Sequence, residues 1–433
     1  MAKVVLPDGG NKGNPRRIRR PCDNDSHFHY KDLPVPWPTE NTHDRLGFPR
    51  TFSLEIFILS TRPIRIGMTL GGRSSTFVLG PLAGLELGAF VPHPPPVVIL
   101  DQAVASGHAP WLEQIHQSCG HPSPRTLILS GGEGCKTLAK LEEVYGWLAE
   151  CGLRRDGVIV GIGGGAVLDL AGMAAATWCR GVGFVSVPTT LLAMVDASIG
   201  GKTAVNAAGL KNPVGCFHPA SGILADPGFL SSLPRGAWRD GLAELIKTAA
   251  IGDPELFREM HEARPRLFTL FAGPDADRPV PGVLGSLDWT SWIGRAASVK
   301  ARIVTRDFQE GGLRRSLNLG HTLGHALEAI SHRNGPPLSH GQAVAIGMAV
   351  VFRVAAQRGD CPLPAAVQMV ELLEACGLPV SHPAPDPAEL ERMLQGDKKQ
   401  TSRQGLNWVL PRGLGQMNIF GQVRTEEILR WLD

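Results

Sequence analysis

Four short apolar runs in the first half of the chain constrain its fold most strongly. They read PPVVILD, RTLILSGG, DGVIVGIGGG and GVGFVSVPTT. Each is bounded by glycine, proline or threonine, as expected for strands of a parallel sheet that helices cover on both faces. Between STFVLGPLAGL and DPGFLSSLP, such runs alternate with helical segments. The sequence therefore predicts an N-terminal, Rossmann-like α/β domain that binds a nucleotide.

The pattern changes after Pro234 to longer stretches of helical character. Examples are WRDGLAELIKTAAI, WIGRAASVKARIVTRD and GQAVAIGMAVVFRVAAQ. We predict a nucleotide-binding α/β domain over residues 61–235 and a mainly helical, metal-binding domain over residues 236–433. Residues 1–60 are rich in proline, glycine and charge and have no sustained period, so we predict a disordered extension there.

Composition excludes several classes of partner. A net charge of +3 in 433 residues is too small to indicate nucleic-acid binding. No apolar run approaches the roughly 20 residues that span a membrane, and the start lacks the apolar core of a signal peptide. Eight cysteines without a CxxC pair argue against disulfides and a thiolate zinc site. We expect a cytoplasmic protein.

The segment GIGGGAVLDLAG follows a predicted strand and opens a predicted helix. Backbone amides at Gly164 and Gly165 would then approach a phosphate at the positive end of that helix. The alternative is a tight turn that needs glycine for a positive φ. Asp169, near the start of the helix, has the alternative role of an N-cap.

The segment GGLRRSLNLGHTLGHALEAISH, residues 311–332, predicts one amphipathic helix. At about 100° per residue, its leucines gather on one side and a polar stripe roughly 60° wide forms on the other. That stripe contains Arg314, Asn318, His321 and His325. Lysine and glutamate would suit solvent, whereas a guanidinium, an amide and two imidazoles suit an anion and a metal ion.

Glu244 and Lys247 are three residues apart on an apolar helix and so share a face. The simpler interpretation is an intrahelical ion pair. The more specific interpretation is that Glu244, together with His321 and His340, binds a metal ion. Three protein ligands would leave a zinc ion one open coordination position for the substrate. The HxxxH pair can also be two ordinary polar-face histidines. If His321 does bind a metal ion, His325 would support a ligand or contact the substrate.

Several cations lie next to apolar or glycine-rich sequence. We expect Lys202, Lys211 and Asn212 in loops beside glycines, where a single lysine is usually only solvated. These cations indicate a binding site only when they are considered together, because a substrate with a phosphate and a carboxylate needs many cations. The set comprises Lys202, Lys211, Lys247, Lys300, Arg314 and the Lys398/Lys399 pair.

With these residues assembled, the chain resembles the 3-dehydroquinate synthases of the sugar-phosphate cyclase family. The resemblance extends from about Ile64 to the end of the chain. Its motifs are GGEGCKT, GGGAVLDLAG, RGVGFVSVPTTLLAMVDASIGGKTAVN, GLAELIKTAAI, KARIVTRDFQEGGLRRSLNLGHTLGHALE, SHGQAVAIGM and GDKK. It implies an NAD-binding domain and a helical domain with the active site between them.

The resemblance also implies roles for individual residues. Zn²⁺, or Co²⁺, would be held by Glu244, His321 and His340. NAD would be contacted by Glu133, Lys136, Gly164, Gly165, Asp169, Thr189, Thr190, Lys202 and Lys211. The substrate would be surrounded by Asp196, Lys202, Asn212, Lys247, Lys300, Arg314, Asn318, His325 and Lys399, the last chosen from the Lys398/Lys399 pair. Arg180 would reach the phosphate in a neighbouring subunit's site, which implies a homodimer.

The implied reaction belongs to the shikimate pathway of aromatic amino-acid biosynthesis. NAD⁺ would transiently oxidise 3-deoxy-D-arabino-heptulosonate 7-phosphate, phosphate would leave by elimination, and NADH would return the hydride. Ring opening and an intramolecular aldol step would then give 3-dehydroquinate. Cations would fix the phosphate and carboxylate, and zinc would stabilise developing oxyanions.

Two segments depart from the family pattern. Leu168 stands where glycine is usual, and VNAAGLKNPVGCFHPA differs from the usual loop. Both variations resemble cyclases that make valiolone- or inosose-type rings from substrates without a carboxylate. Lys300, Arg314 and Asn318, which the resemblance assigns to the carboxylate, favour dehydroquinate. Two further hypotheses stay open, a zinc and NAD polyol dehydrogenase and a non-catalytic protein that binds the substrate.

Overall fold

A large, mostly parallel sheet organises the first half of the molecule. The structure, a computed structural model, describes residues 56–59, 62–81, 87–91, 95–109, 113, 124–275, 277–278, 280–334, 336–401, 408–421 and 423–432. The strands within these residues are β1 (Ile56–Leu59), β2 (Arg62–Leu70), β3 (Arg73–Leu79), β4 (Val97–Asp101), β5 (Thr126–Leu129), β6 (Val158–Gly163), β7 (Gly183–Pro188), β8 (Lys202–Ala207), β9 (Leu210–Phe217), β10 (Gly222–Ala225), β11 (Trp408–Gly413) and β12 (Gln416–Gly421).

The strand order in the main sheet is β1-β2-β3-β10-β7-β6-β4-β5. The pairs from β3 through β10, β7, β6 and β4 to β5 are parallel, whereas β1-β2 and β2-β3 are antiparallel. All six residues of β6 are buried, as expected for a central strand covered on both faces. The four apolar runs form β4 to β7, which confirms the predicted parallel sheet.

Helices dominate the second half and confirm the predicted α/β plus α fold class. Those described are α1 (Gln102–Gly107), α2 (Leu138–Cys151), α3 (Gly165–Thr177), α4 (Arg235–Gly252), α5 (Pro254–Glu262), α6 (Arg264–Phe271), α7 (Trp289–Arg306), α8 (His321–Asn334), α9 (His340–Gln357), α10 (Leu363–Ala375), α11 (Pro387–Thr401) and α12 (Thr425–Leu429). All described residues belong to one compact unit. The domain boundary at residue 235 stays a prediction.

The predicted disordered extension lies almost wholly outside the described residues. Its last part, Ile56–Leu59, forms β1, which pairs with β2 through partners such as Ile56 and Ile66. The prediction of disorder was therefore wrong for these four residues, whose apolar run IFIL is too short to show a period. Among the described helices, none combines the length and the apolarity that a membrane crossing requires.

Lys202, Lys211 and Asn212 lie in strands, so the prediction that they occupy loops was wrong. β8 and β9 form an antiparallel hairpin with Ala207 paired to Leu210. Lys202 is the first residue of β8, and the other two lie near the start of β9. The hairpin was hard to recognise because its sequence is small and polar rather than alternately apolar.

The turn of this hairpin gives a first testable prediction. Ala208 and Gly209 have φ values of 52° and 73°, the left-handed pair that a two-residue type I′ turn requires. Alanine is strained there, so Ala208→Gly is expected to raise the free energy of unfolding by about 1 kcal/mol. Urea denaturation measures the change. The neighbouring strand residue Ala207 is the control, because Ala207→Gly should lower stability, and equal effects of both substitutions would contradict the prediction.

Residues 311–332 do not form one helix, contrary to the sequence analysis. A 3₁₀ helix covers Leu313–Asn318, the chain turns at Gly320, and α8 begins at His321. Gly320 has a φ of +78°, and a Cβ there would lie 2.7 Å from the carbonyl oxygen of Val344 in α9. The break therefore comes from close packing between α8 and α9, which a helical-wheel analysis does not consider.

Candidate active site

Most of the predicted substrate residues converge on one cavity of about 560 Å³. Residues from β8, β9, α4, α7, α8 and α9 line it, so the sheet side and the helical side of the molecule both contribute. The predicted residues in its lining are Asp169, Asp196, Lys202, Asn212, Lys247, Lys300, Arg314, Asn318, His321, His325 and His340. Arg314 and Asn318 reach it from the 3₁₀ helix, despite the error in the predicted helix.

Glu244, His321 and His340 form a compact group beside this cavity. Glu244 Oε1 lies 3.4 Å from Nε2 of His321 and 3.4 Å from Nε2 of His340. One ligand atom from each residue lies within 4.8 Å of the others. Ligand atoms that bind Zn²⁺ at about 2.0–2.1 Å in a tetrahedron are separated by about 3.4 Å. The geometry therefore fits a divalent metal ion.

The chemistry of the three side chains also fits a metal, although a metal ion would displace a proton from His340. Burial opposes protonation of His340, but Glu244 and Glu328 outweigh it and raise the pKa of His340 to about 9. Both carboxylate oxygens of Glu244 are buried, and neither accepts a hydrogen bond of good geometry among the described residues. Burial opposes ionisation of Glu244, but Lys247 and His321 outweigh it and hold its pKa well below the ordinary value. Burial, reinforced by Lys247, holds the pKa of His321 well below its ordinary value, so its ring is neutral. An ionised carboxylate and a neutral imidazole are both metal-binding forms.

The ion pair between Glu244 and Lys247 is present as well, so both interpretations of their spacing hold together. The side chains are 0% and 2% exposed. Burial opposes protonation of Lys247, but Glu244 and Asp196 raise its pKa. Lys247 also lines the cavity, so a buried cation stands next to the metal ligands.

Lys300 and Asp196 make a second buried pair. The Lys300 ammonium contacts the Asp196 carboxylate and donates to the Asp196 backbone oxygen at 2.6 Å. Burial lowers the pKa of Lys300 to about 8, although Asp196 opposes the change. Burial favours neutral Asp196, but Lys300 and Lys247 lower its pKa. Lys300 on α7 therefore loses its proton at a lower pH than an ordinary lysine does.

Arg314 is only 3% exposed and is held by backbone carbonyls. Its Nη1 donates to Phe308 O at 2.6 Å and its Nη2 to Gly200 O at 3.2 Å. Asp307 accepts from the backbone of Gly311, Gly312 and Arg314, which fixes this turn. Within the described part of the chain, Arg314 forms no ion pair with a carboxylate, so its charge is suited to an external anion.

Glu310 lines the cavity and was missed by the sequence analysis. Its carboxylate binds Lys202 Nζ and accepts from Asn318 Nδ2 at 3.2 Å. Its φ is +62°, a left-handed conformation that is uncommon for glutamate. The one available signal was an acid directly before two glycines in a segment rich in arginine. Lys202 is therefore paired with Glu310, although its side chain is 53% exposed.

The glycine turn after β6 is confirmed as a strand-to-helix junction, but a positive φ and an Asp169 cap were both wrong. Gly164 is the N-cap of α3 with a φ of −74° and no side-chain cap. A Cβ on Gly164 would lie 3.2 Å from Thr190 Cγ2, and one on Gly165 would lie 3.1 Å from Ala197 Cβ. Close packing therefore explains these glycines.

The other predicted NAD residues follow the carboxyl ends of the strands. Asp169 lies within α3 and binds the ammonium of Lys136, which follows β5. Glu133 Oε2 accepts from Asn206 Nδ2 at 2.9 Å. Thr189 donates its backbone N–H to Gly163 O at 3.0 Å, and Thr190 Oγ1 accepts from Ala193 N at 3.1 Å.

Three predicted residues remain: Lys211 and Arg180, which like most of the NAD residues are not part of the cavity lining, and Lys399. Lys211 forms an ion pair with Glu328 at 2.9 Å. Arg180 is exposed, has a φ of 64° and lies in a 3₁₀ turn after α3. Lys399 falls in α11, but its side chain lies outside the described residues.

Comparison with known proteins agrees with this geometry. A family profile described as 3-dehydroquinate synthase N-terminal matches residues 126–240, and one described as 3-dehydroquinate synthase C-terminal matches residues 241–400. This chain belongs to the 3-dehydroquinate synthase family. Among its relatives is a 3-dehydroquinate synthase of Synechococcus sp. (strain CC9605), 42% identical over 72% of this chain and 80% of that protein.

Two solved structures of related cyclases have the same fold as this family member. ValA, a 2-epi-5-epi-valiolone synthase from Streptomyces hygroscopicus subsp. jinggangensis 5008 with NAD⁺ and Zn²⁺ bound, is 27% identical with a TM-score of 0.70 and covers 90% of this chain and 98% of its own. A 2-deoxy-scyllo-inosose synthase complexed with carbaglucose-6-phosphate, NAD⁺ and Co²⁺ is 25% identical with a TM-score of 0.68 and covers 85% of this chain and 99% of its own.

Proposed function

We propose that this chain is a 3-dehydroquinate synthase, a carbon–oxygen lyase that converts 3-deoxy-D-arabino-heptulosonate 7-phosphate to 3-dehydroquinate and phosphate in the shikimate pathway. The observation that carries the proposal is a His–His–carboxylate group beside a cavity lined by the buried cations Lys247, Lys300 and Arg314. Membership of the family and 42% identity to a named synthase support it. The proposed location is the cytoplasm.

NAD would bind at the carboxyl edge of the parallel sheet, where the strand order reverses between β4 and β6. The first turn of α3 has no side-chain cap, so its amides can bind a phosphate. Zn²⁺ or Co²⁺ would be held by Glu244, His321 and His340. When bound, NAD would accept and return a hydride, and the metal ion would polarise the substrate oxygens.

The chain's own residues would mainly bind and orient charge. Lys300 and Arg314 would hold the substrate carboxylate, and Asn318 would donate a hydrogen bond beside them. Asp196 fixes the Lys300 ammonium, so little reorganisation is needed on binding. Lys202, Asn212, Lys247, His325 and Lys399 would contact the remaining polar groups.

Arg180 would act in the site of a second copy of the chain. It is exposed and absent from the lining of its own cavity, which supports this assignment. A homodimer is therefore part of the proposal.

The decisive experiment compares substrates. Purified protein with Zn²⁺ and NAD⁺ should release phosphate from 3-deoxy-D-arabino-heptulosonate 7-phosphate without lasting NADH absorbance. Release only from sedoheptulose 7-phosphate or glucose 6-phosphate would instead assign it to the valiolone- or inosose-type cyclases, which the unusual β8–β9 sequence favours. NADH that accumulates without phosphate would indicate a dehydrogenase.

A pH prediction follows from Lys300. Its pKa of about 8 lies below the ordinary 10.5, so the ammonium loses its proton as the pH rises through about 8. Since the proposed role needs the cation, kcat/KM for the carboxylate substrate should be highest below that pH and fall above it. The pH profile of kcat/KM measures this. Arginine does not titrate there, so a profile flat to about pH 10 would remove Lys300 from carboxylate binding.

A further inference from the structure

Each of the two histidines in the proposed metal site has a partner on its other ring nitrogen. His321 Nδ1 lies 3.2 Å from Leu319 O, the carbonyl of the residue before the turn into α8. His340 Nδ1 lies 3.4 Å from Glu328 Oε2. A carbonyl and a carboxylate oxygen both accept, so each Nδ1 carries a proton and a metal ion would bind at each Nε2, which faces Glu244 Oε1 at 3.4 Å.

Glu328 is the less expected of these two partners. It lies on α8, one helix away from His340 at the start of α9, and its side chain is 15% exposed. Its other oxygen, Oε1, accepts from Lys211 Nζ of β9 at 2.9 Å. The carboxylate therefore bridges the hairpin and a proposed metal ligand.

The backbone around His340 is fixed independently. The Asp240 carboxylate of α4 accepts from the Ser339 hydroxyl and from Gly341 N, the latter at 3.0 Å. These bonds hold the residues on both sides of His340, but they do not fix rotation of its imidazole ring. Within the described residues, Glu328 makes the hydrogen bond to Nδ1 that can do so.

We infer that Glu328 is a positioning residue for the metal site, which sets the tautomer and ring orientation of His340 through Nδ1. The inference rests on the proposed function, because it needs a metal ion on Nε2. Such carboxylate–histidine–metal arrangements raise the basicity of the ligand, and their loss usually weakens metal binding by about 10–100-fold. Lys211 would neutralise the carboxylate charge that faces the hairpin.

The test uses two replacements of similar size. Glu328→Met cannot accept a hydrogen bond, whereas the Glu328→Gln side-chain oxygen can. In the full-length protein, Zn²⁺ affinity measured by chelator competition should fall about 10–100-fold in Glu328→Met, and clearly less in Glu328→Gln. The visible absorption of the Co²⁺-loaded protein should change shape in the methionine variant and resemble the parent in the glutamine variant.

Glu310→Met is the matched control. Glu310 also pairs with a lysine and lines the cavity, but it contacts no proposed metal ligand. The Glu310→Met substitution should leave the Zn²⁺ affinity and the Co²⁺ spectrum unchanged. A Glu328→Met protein that binds Zn²⁺ as tightly as the parent would overturn the inference and leave the proposed function standing. A parent protein that binds no Zn²⁺ or Co²⁺ would overturn both.

Discussion

Glu244→Gln is expected to lower turnover by about 10³-fold or more and to remove bound zinc. The variant keeps the size of the side chain but replaces the anionic oxygen that lies 3.4 Å from both histidine nitrogens. A metal ion that stabilises developing charge by about 4 kcal/mol accounts for a factor of this size. Phosphate release and metal content of the purified protein measure the two effects.

The same substitution should also destabilise the fold, because it leaves Lys247 buried without its nearest anion. Removal of one partner of a buried ion pair costs about 3–5 kcal/mol. The double variant Glu244→Gln/Lys247→Met is the control, since it removes both charges and should recover much of the stability but none of the activity. Unchanged turnover and zinc content in Glu244→Gln would refute the zinc assignment.

Arg314→Met is expected to lower kcat/KM for 3-deoxy-D-arabino-heptulosonate 7-phosphate by roughly 10²–10⁴-fold. Each charge-assisted hydrogen bond to a carboxylate contributes about 1.5–3 kcal/mol, and a guanidinium can make two. The expected loss is in substrate and transition-state binding, because Arg314 is not bonded to the metal ligands. Initial rates over a range of substrate concentrations separate KM from kcat.

Arg315→Met provides the comparison for this experiment. Arg315 is the next residue of the same 3₁₀ helix, but it is not part of the cavity lining. Its replacement should change kcat/KM little. Equal losses in the two variants would mean that Arg314 acts through local folding and not through the carboxylate.

The apolar strands and the chemical types of the site residues could be predicted from sequence. One residue of the cavity lining and one helix boundary beside the site could not. Glu244, His321 and His340 were recognised from their residue types and from the family resemblance, and they do converge. Glu310 was missed because a left-handed glutamate leaves no sequence pattern. The break at Gly320 was missed for a related reason, since it depends on contact with Val344 of another helix.

The sequence by itself determined the parallel sheet, the helical second half and the set of cations, because hydrophobic periodicity and residue type are local properties. The tertiary structure decided which charges meet. Lys300 pairs with Asp196 across 104 positions of the chain, and Lys211 with Glu328 across 117. Such pairing depends on how the β8–β9 hairpin and α7 to α9 pack, and burial in that packing then sets the pKa values of the paired groups.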